Sequence, residues 1–115
     1  MGLSSKHFSE RELACKCCGE NKVVQKLLDK LEKLRLMIGK PIIVNCAYRC
    51  KKHNAEVGGV ANSQHLLGTA ADIRVVGIKP KELAAWAEKA GFDGIGTYGT
   101  FVHVDVRGTR ARWNG

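Results

Sequence analysis

The sequence predicts an α+β domain, a small antiparallel sheet with helices packed on one face. Three observations predict it. An apolar stripe at helical spacing runs through residues 22–38, and short segments at 42–44, 71–76 and 101–106 have the composition or period of strands. Glycine or proline stands at most boundaries between them. At 115 residues the chain suits one domain, 1–115, and its 44% hydrophobic and 26% charged residues are those of an ordinary globular protein.

The elements follow in order. Ser9 with Glu12 three residues on is a capping box, opening a brief helix that runs towards the cysteines. Val24, Leu27, Leu28, Leu31, Leu34 and Ile38 form one face of a helix from Lys22 to Ile38, with Lys26, Lys30, Lys33 and Arg35 between them. Gly39 ends that helix, Pro41 blocks its continuation, and Ile42-Ile43-Val44 reads as a buried strand. Asn45 to Ser63 is mostly polar and holds Gly58-Gly59, which predicts a loop with at most a short helix. Loops of that length usually carry function. Ala71 to Val76 alternates as a second strand, with Asp72 and Arg74 on one face and Ile73 and Val75 on the other. Pro80 opens a helix through Leu83, Ala87 and Ala90, and Gly91 closes it. Gly94, Gly96 and Gly99 fragment the next stretch and leave room for a short strand around Ile95. Phe101 to Val106 is a third strand, with Phe101, His103 and Asp105 on one face and three valines on the other.

Composition excludes some functions. No apolar run approaches the roughly 20 residues that span a bilayer, so no membrane insertion is expected. The start of the chain has neither the apolar run of a signal peptide nor a myristoylation pattern, which leads to the expectation of cytoplasmic synthesis. The net charge is +8, and residues 1–52 hold 12 Lys and Arg against 5 Asp and Glu. Such a field concentrates polyanions. A nucleic-acid partner is not expected, because the aromatics form no ladder with the basic residues and no recognition motif is present. Five cysteines, an odd number, argue against a fully paired disulfide framework. They leave open a structural metal site built from four of them, one or more disulfides, or buried thiols.

The chemistry concentrates on His65, Asp72 and His103. A turn at Gly68 followed by the strand at Ala71 lets Asp72 reach the face that a loop histidine can share, and His103 projects from another strand of the same sheet. Two imidazoles and a carboxylate are the three-ligand set of a catalytic Zn²⁺, which keeps a fourth position for water.

Ser63-Gln64-His65-Leu66-Leu67-Gly68-Thr69-Ala70-Ala71-Asp72 resembles the pattern Ser-x-His-x-x-Gly-x-Ala-x-Asp of the M15 zinc D,D-peptidases, a group of D-alanyl-D-alanine carboxypeptidases, dipeptidases and phage endolysins. Phe101-Val102-His103-Val104-Asp105 resembles that group's closing strand, and Asn45-Cys46-Ala47-Tyr48-Arg49-Cys50 its Thr-Ser-Gly-Tyr-Arg-Ser segment. The resemblance covers about residues 42–113, in family order. It implies the hedgehog/DD-peptidase fold, zinc on His65, Asp72 and His103, Arg49 at the scissile carbonyl oxygen, and Ser63 and Tyr48 in substrate binding. It also implies a peptidoglycan peptide as substrate, with anionic wall polymers as a further partner of the basic half. The expected setting is a monomeric peptidase acting on the wall after release. A noncatalytic zinc domain of the same fold, binding wall peptide or serving phage assembly, is the alternative.

One departure stands out. Several well-known members of the group carry Glu or Asp three residues before the third ligand, where this chain has Thr100. Asp105 lies on the same side as His103, with a Cα separation of roughly 6.5 Å. It is either the general base or the acceptor that orients an imidazole, with orientation favoured. Asp93 and Glu56 are weaker candidates for the base. Cys46 and Cys50 stand where the group has serines, and replacement together suggests use together.

Overall fold

A computed structural model describes residues 5–15, 19–50, 52 and 64–115. The elements are α1 (Glu10–Leu13), α2 (Gln25–Ile38), β1 (Ile43–Cys46), a 3₁₀ turn (Gln64–Leu67), β2 (Ala70–Arg74), α3 (Pro80–Ala90), β3 (Gly94–Thr97), β4 (Val102–Asp105) and β5 (Ala111–Asn114).

Local chemistry accounts for the helices. At α1 the capping box closes as the spacing predicts: Glu12 N–H donates to Ser9 Oγ at 3.1 Å and Ser9 N–H donates to Glu12 Oε1 at 2.7 Å. The second helix starts at Gln25, three residues later than its predicted start at Lys22. Residues 22–24 instead run along the loop that carries Gly68, where Val24 N–H donates to Gly68 O at 2.9 Å. Gly39 and Gly91 end α2 and α3 in the left-handed conformation that glycine adopts without penalty. Among the described residues no helix is long and apolar enough to cross a membrane.

The sheet has five strands in the order β1-β2-β4-β3-β5. All neighbours are antiparallel except β3 and β5, which run parallel, so the expected small antiparallel sheet is present with one parallel strand added at its edge. The fifth strand was not predicted. Ala-Arg-Trp-Asn is too short and polar to read as a strand, and its partner is β3, not a hairpin neighbour. Strand β1 extends two residues into the predicted loop, as far as Cys46.

One face of the sheet is the core face. Val44, Ile73, Ile95, Val102 and Val104 pack there with Leu27, Leu28, Leu31 and Leu34 of α2 and Leu83, Ala87 and Ala90 of α3. Burying these apolar side chains supplies the main drive for the arrangement, at roughly 25 cal/mol per Å² removed from water. The alternation of side chains along β2 and β4 therefore sends Asp72, His103 and Asp105 to the opposite face.

A metal-type donor cluster on the face away from the helices

On that opposite face the strand registers line up one residue from every strand. Cys46 of β1 is paired with Asp72 of β2, Asp72 with His103 of β4, His103 with Gly96 of β3, and Gly96 with Trp113 of β5. The row exists on β1 because of a bulge. Val44 pairs with Ile73 and Cys46 with Asp72, so two residues of β1 answer one step of β2.

His65 enters the row from the 3₁₀ turn. Its position depends on Gly68, which has φ +73 and packs so closely on Lys22 and Val23 that a Cβ would lie 1.9 Å from Lys22 O. His65 O accepts from the Arg49 N–H at 3.1 Å, and His65 Nδ1–H donates to Ala47 O at 2.6 Å. A carbonyl can only accept, so that contact fixes the tautomer and leaves Nε2 as the ring's second nitrogen.

The two histidines converge on one carboxylate oxygen. His65 Nε2 lies 3.3 Å and His103 Nδ1 3.2 Å from Asp72 Oδ1. The other nitrogen of His103, Nε2, lies 2.8 Å from Asp105 Oδ2. The rings of His65 and His103 meet edge to face at 5.2 Å. Trp113 covers His103 with ring centroids 5.0 Å apart. Both histidines and Asp105 are buried, Asp105 completely so.

The electrostatics follow from this geometry. Burial pushes the Asp72 carboxyl upwards, but its bonds to His103 and His65 outweigh burial and hold it well below the usual carboxylate range. Asp105 behaves alike, with burial opposed by His103 and Arg107. Burial disfavours the charged imidazole of His65, yet Asp72 and the Cys46 thiol raise its pKa. At His103 burial is likewise outweighed, here by Asp105 and Asp72.

This donor set fits a divalent cation. With Nδ1–H committed to Ala47, a neutral His65 turns a lone pair on Asp72 Oδ1, and His103 has a carboxylate oxygen at each ring nitrogen. Facing lone pairs require positive charge between them, supplied either by protons or by a metal. Neighbouring N and O ligands on a tetrahedral ion with bonds of about 2.0–2.1 Å stand roughly 3.3 Å apart, the separation seen around Asp72 Oδ1. Cys46 groups with two members of this set: its sulfur and one donor atom each of His65 and Asp72 all lie within 4.8 Å of one another.

The remaining candidates take varied places. Asp105 has no oxygen turned to solvent: Oδ2 receives His103 Nε2 and Arg107 Nη2, and Oδ1 receives the Arg107 backbone N–H at 3.2 Å and Nε at 3.0 Å. Arg49 carries a buried Nε with no acceptor among the described residues. Tyr48, expected in substrate binding, is only 6% exposed and packs in the core cluster. Asp93 accepts the Gly108 N–H through Oδ2 at 2.9 Å and so holds the turn after β4. Thr100 is exposed in the connection between β3 and β4. Ser63 and Glu56 lie outside the described residues, as do Cys17 and Cys18 of the suggested four-cysteine site. The expected partnership of Cys46 with Cys50 is not what the fold makes: Cys50 Sγ lies 3.6 Å from Cys15 Sγ, while Cys46 joins the row with Asp72.

Four contributors escaped the sequence. Arg107 continues the alternation from His103 and Asp105, a signal that the predicted strand end at Val106 cut short. Trp113 sits on the strand that was not predicted. Gly94 and Gly96 read as breaks, yet they make room: a Cβ on Gly94 would meet Asp105 Oδ2 at 2.2 Å, and one on Gly96 would meet the Trp113 ring at 2.4 Å.

The chain is similar in sequence to known proteins over most of its length. Over 81 residues the chain is 38% identical to the probable peptidoglycan L,D-endopeptidase MepK of Haemophilus influenzae, covering 64% of this chain and 43% of that protein. Over 88 residues it is 38% identical to the zinc D-Ala-D-Ala carboxypeptidase of Streptomyces albus G, covering 73% of this chain and 34% of that protein. The matched regions thus span less than half the length of either relative. The family model for Peptidase M15 matches residues 6–105, a stretch that contains Cys46, His65, Asp72, His103 and Asp105, and the chain belongs to that family.

Proposed function

We propose that this protein is a zinc metallopeptidase that hydrolyses peptide bonds in the stem peptide or cross-link of peptidoglycan. The observation that carries the reading is the convergence of His65 Nε2 and His103 Nδ1 on Asp72 Oδ1, an arrangement of facing donors that calls for a cation. Membership of Peptidase M15 and the names of the two relatives, one a zinc D-Ala-D-Ala carboxypeptidase and the other a probable peptidoglycan L,D-endopeptidase, support the metal and the substrate class.

In this reading His65, Asp72 and His103 hold the metal. Zinc in such a site lowers the pKa of a bound water towards 7 and polarises a carbonyl. Ala47 O keeps His65 in the tautomer that presents Nε2. Asp105 and Arg107 hold His103 from behind, so Nδ1 is the nitrogen presented. With both its oxygens engaged, Asp105 acts as a positioning residue, not as the general base. Arg49 offers its guanidinium to the oxygen of the scissile carbonyl as negative charge develops there, and the lack of an acceptor for its buried Nε among the described residues supports that role. Ser63, outside the described residues, takes from the family resemblance alone the role of helping to hold the substrate's backbone or carboxylate. The excess of basic residues in 1–52 draws the protein to anionic wall polymers. Synthesis in the cytoplasm followed by release onto the wall, as for a phage endolysin, is the setting that suits a monomeric enzyme of this kind.

Zymography on purified sacculi with the zinc-loaded protein, followed by mass analysis of released fragments, tests the reading. Clearing and new peptide termini are expected, and the fragments identify the bond. Retention on sacculi with no cleavage at one zinc per chain overturns hydrolysis and leaves a wall-binding domain.

A further inference from the structure

We propose that Cys46 is a fourth protein ligand of the metal centre, an inference that rests on the zinc reading of His65, Asp72 and His103. The bulge is the first support. Strict alternation from the core-facing Val44 would put Asn45 on the site face and turn Cys46 back into the core. The register instead sets Cys46 opposite Asp72, at the end of the row that runs through His103. Bulges re-aim side chains, and this one aims a thiol at a metal-type donor pair.

Proximity is the second support. The sulfur of Cys46 and one donor atom each of His65 and Asp72 all lie within 4.8 Å of one another. The thiol is carried by the residue next to Ala47, whose carbonyl orients His65, so one stretch of backbone fixes both groups. No disulfide occupies this sulfur. Thiolate is a preferred zinc ligand, and Cys with His and carboxylate completes a tetrahedral set.

The consequence is chemical. Three protein ligands leave a position for water, whereas four close the site. On ligation the thiol gives its proton to solvent and its sulfur takes the place of the water, so the metal is held more tightly and hydrolysis slows. Departure of the sulfur reopens the position. Cys46 thus divides the protein between a closed, metal-storing form and an open, hydrolytic form.

Cobalt(II) titration of the full chain tests this. The wild type is expected to bind cobalt with a near-ultraviolet sulfur-to-cobalt charge-transfer band that Cys46→Ser removes, while the visible cobalt bands of the remaining ligands persist. Zinc affinity of Cys46→Ser should fall by more than the roughly 10–100-fold that loss of an orienting partner costs. Its sacculus hydrolysis at saturating zinc should rise at least severalfold. A charge-transfer band that survives Cys46→Ser comes from other cysteines and overturns the proposal, as does an unchanged zinc affinity. Cobalt bound through His65 with no such band overturns the Cys46 assignment alone. Absence of cobalt binding, or binding that His65→Ala leaves intact, overturns the zinc reading itself. If Cys46→Ser fails to fold, alkylation of the wild type mapped by mass spectrometry replaces it: zinc should protect Cys46 from iodoacetamide, and equal labelling with and without zinc overturns the ligand role.

Discussion

Two histidine–carboxylate pairs of nearly equal length sit in different parts of this molecule. His7 Nδ1 meets Glu32 Oε1 at 2.6 Å, and His103 Nε2 meets Asp105 Oδ2 at 2.8 Å. Glu32 projects from α2 and also accepts from the Ser5 hydroxyl and the His7 backbone N–H, so that pair clips the N-terminal segment onto the helix. Its side chains keep about a fifth of their surface in water. The other pair is sealed: Asp105 has no exposed surface, Arg107 grips both its oxygens, and the far nitrogen of His103 is turned on Asp72. The same two functional groups make a surface fastening in one place and an oriented donor in the other. What separates them is the second contact of the imidazole, and this is set by strand register.

The largest contrast should come from removing a convergent donor. His65→Ala is expected to abolish sacculus hydrolysis and high-affinity zinc binding, and to lower Tm of the zinc-loaded protein towards that of the metal-free form, because binding free energy at such a site is linked to folding. Ala at His7 should leave both zinc stoichiometry and hydrolysis untouched. Metal analysis after dialysis checks both, and hydrolysis by a metal-free His65→Ala would break the distinction between the pairs.

Asp105→Asn sharpens it next. An orienting partner typically contributes 10–100-fold to metal affinity, so zinc should bind that much more weakly while hydrolysis recovers at saturating zinc. A general base would behave otherwise, losing about 10²–10⁴-fold in kcat with zinc still bound. The buried surroundings of Asp105 predict the first result.

The glycines of β3 test how the sealed pair is built. Gly94→Ala drives a methyl group into the Asp105 carboxylate, which is fully buried and has nowhere to move, and should cost on the order of 3 kcal/mol. Gly96→Ala meets the Trp113 ring, which is partly exposed and can swing away, so about 1–2 kcal/mol is expected. Denaturant unfolding of the metal-free variants gives the two values, and equal costs would show that the carboxylate is less confined than its contacts imply.

These glycines also mark where the sequence stopped being legible. The α2 stripe, its Gly39 stop and the Ser9–Glu12 box are local patterns whose physics is complete within a few residues, and the structure repeats them with small shifts. His65, Asp72 and His103 could be named because residue type made them candidates and the segment from Ser63 to Asp72 resembles the motif of the M15 peptidases. Their convergence on Asp72 Oδ1 could not be read, since it depends on β2 pairing with β4. Gly94 and Gly96 read as interruptions because their use lies across the sheet, beneath Asp105 and Trp113. The bulge that turns Cys46 is likewise a property of pairing and has no signature in Val-Asn-Cys. Strand β5 exists only through its parallel register with β3, so the sequence around Trp113 carried no strand signal.

The smallest effect concerns the clip, and pH exposes it. Burial raises the Glu32 pKa, but the bonds from Ser5 and His7 together outweigh it and leave the carboxyl below its ordinary 4.5. A carboxyl with a lowered folded pKa contributes stability that is present above about 4.5 and is lost as pH falls through the folded value. Glu32→Gln should therefore cost about 1 kcal/mol or less near neutrality, in line with a partly exposed pair. The difference from wild type should shrink below pH of about 4.5 and vanish once the native carboxyl is protonated. Zinc should not alter that profile, because the clip neither holds the metal nor orients a ligand. At the donor row the sign is opposite for the imidazoles: the raised pKa values of His65 and His103 make their contribution to the metal-free protein fade as pH rises, and zinc, which needs the rings unprotonated, should reverse that trend. Unfolding curves across pH with and without zinc, for wild type and Glu32→Gln, separate the two pairs in one series. A zinc-dependent profile for the Glu32 difference would mean that the N-terminal clip and the donor row are coupled through α2, and that the two pairs are one device.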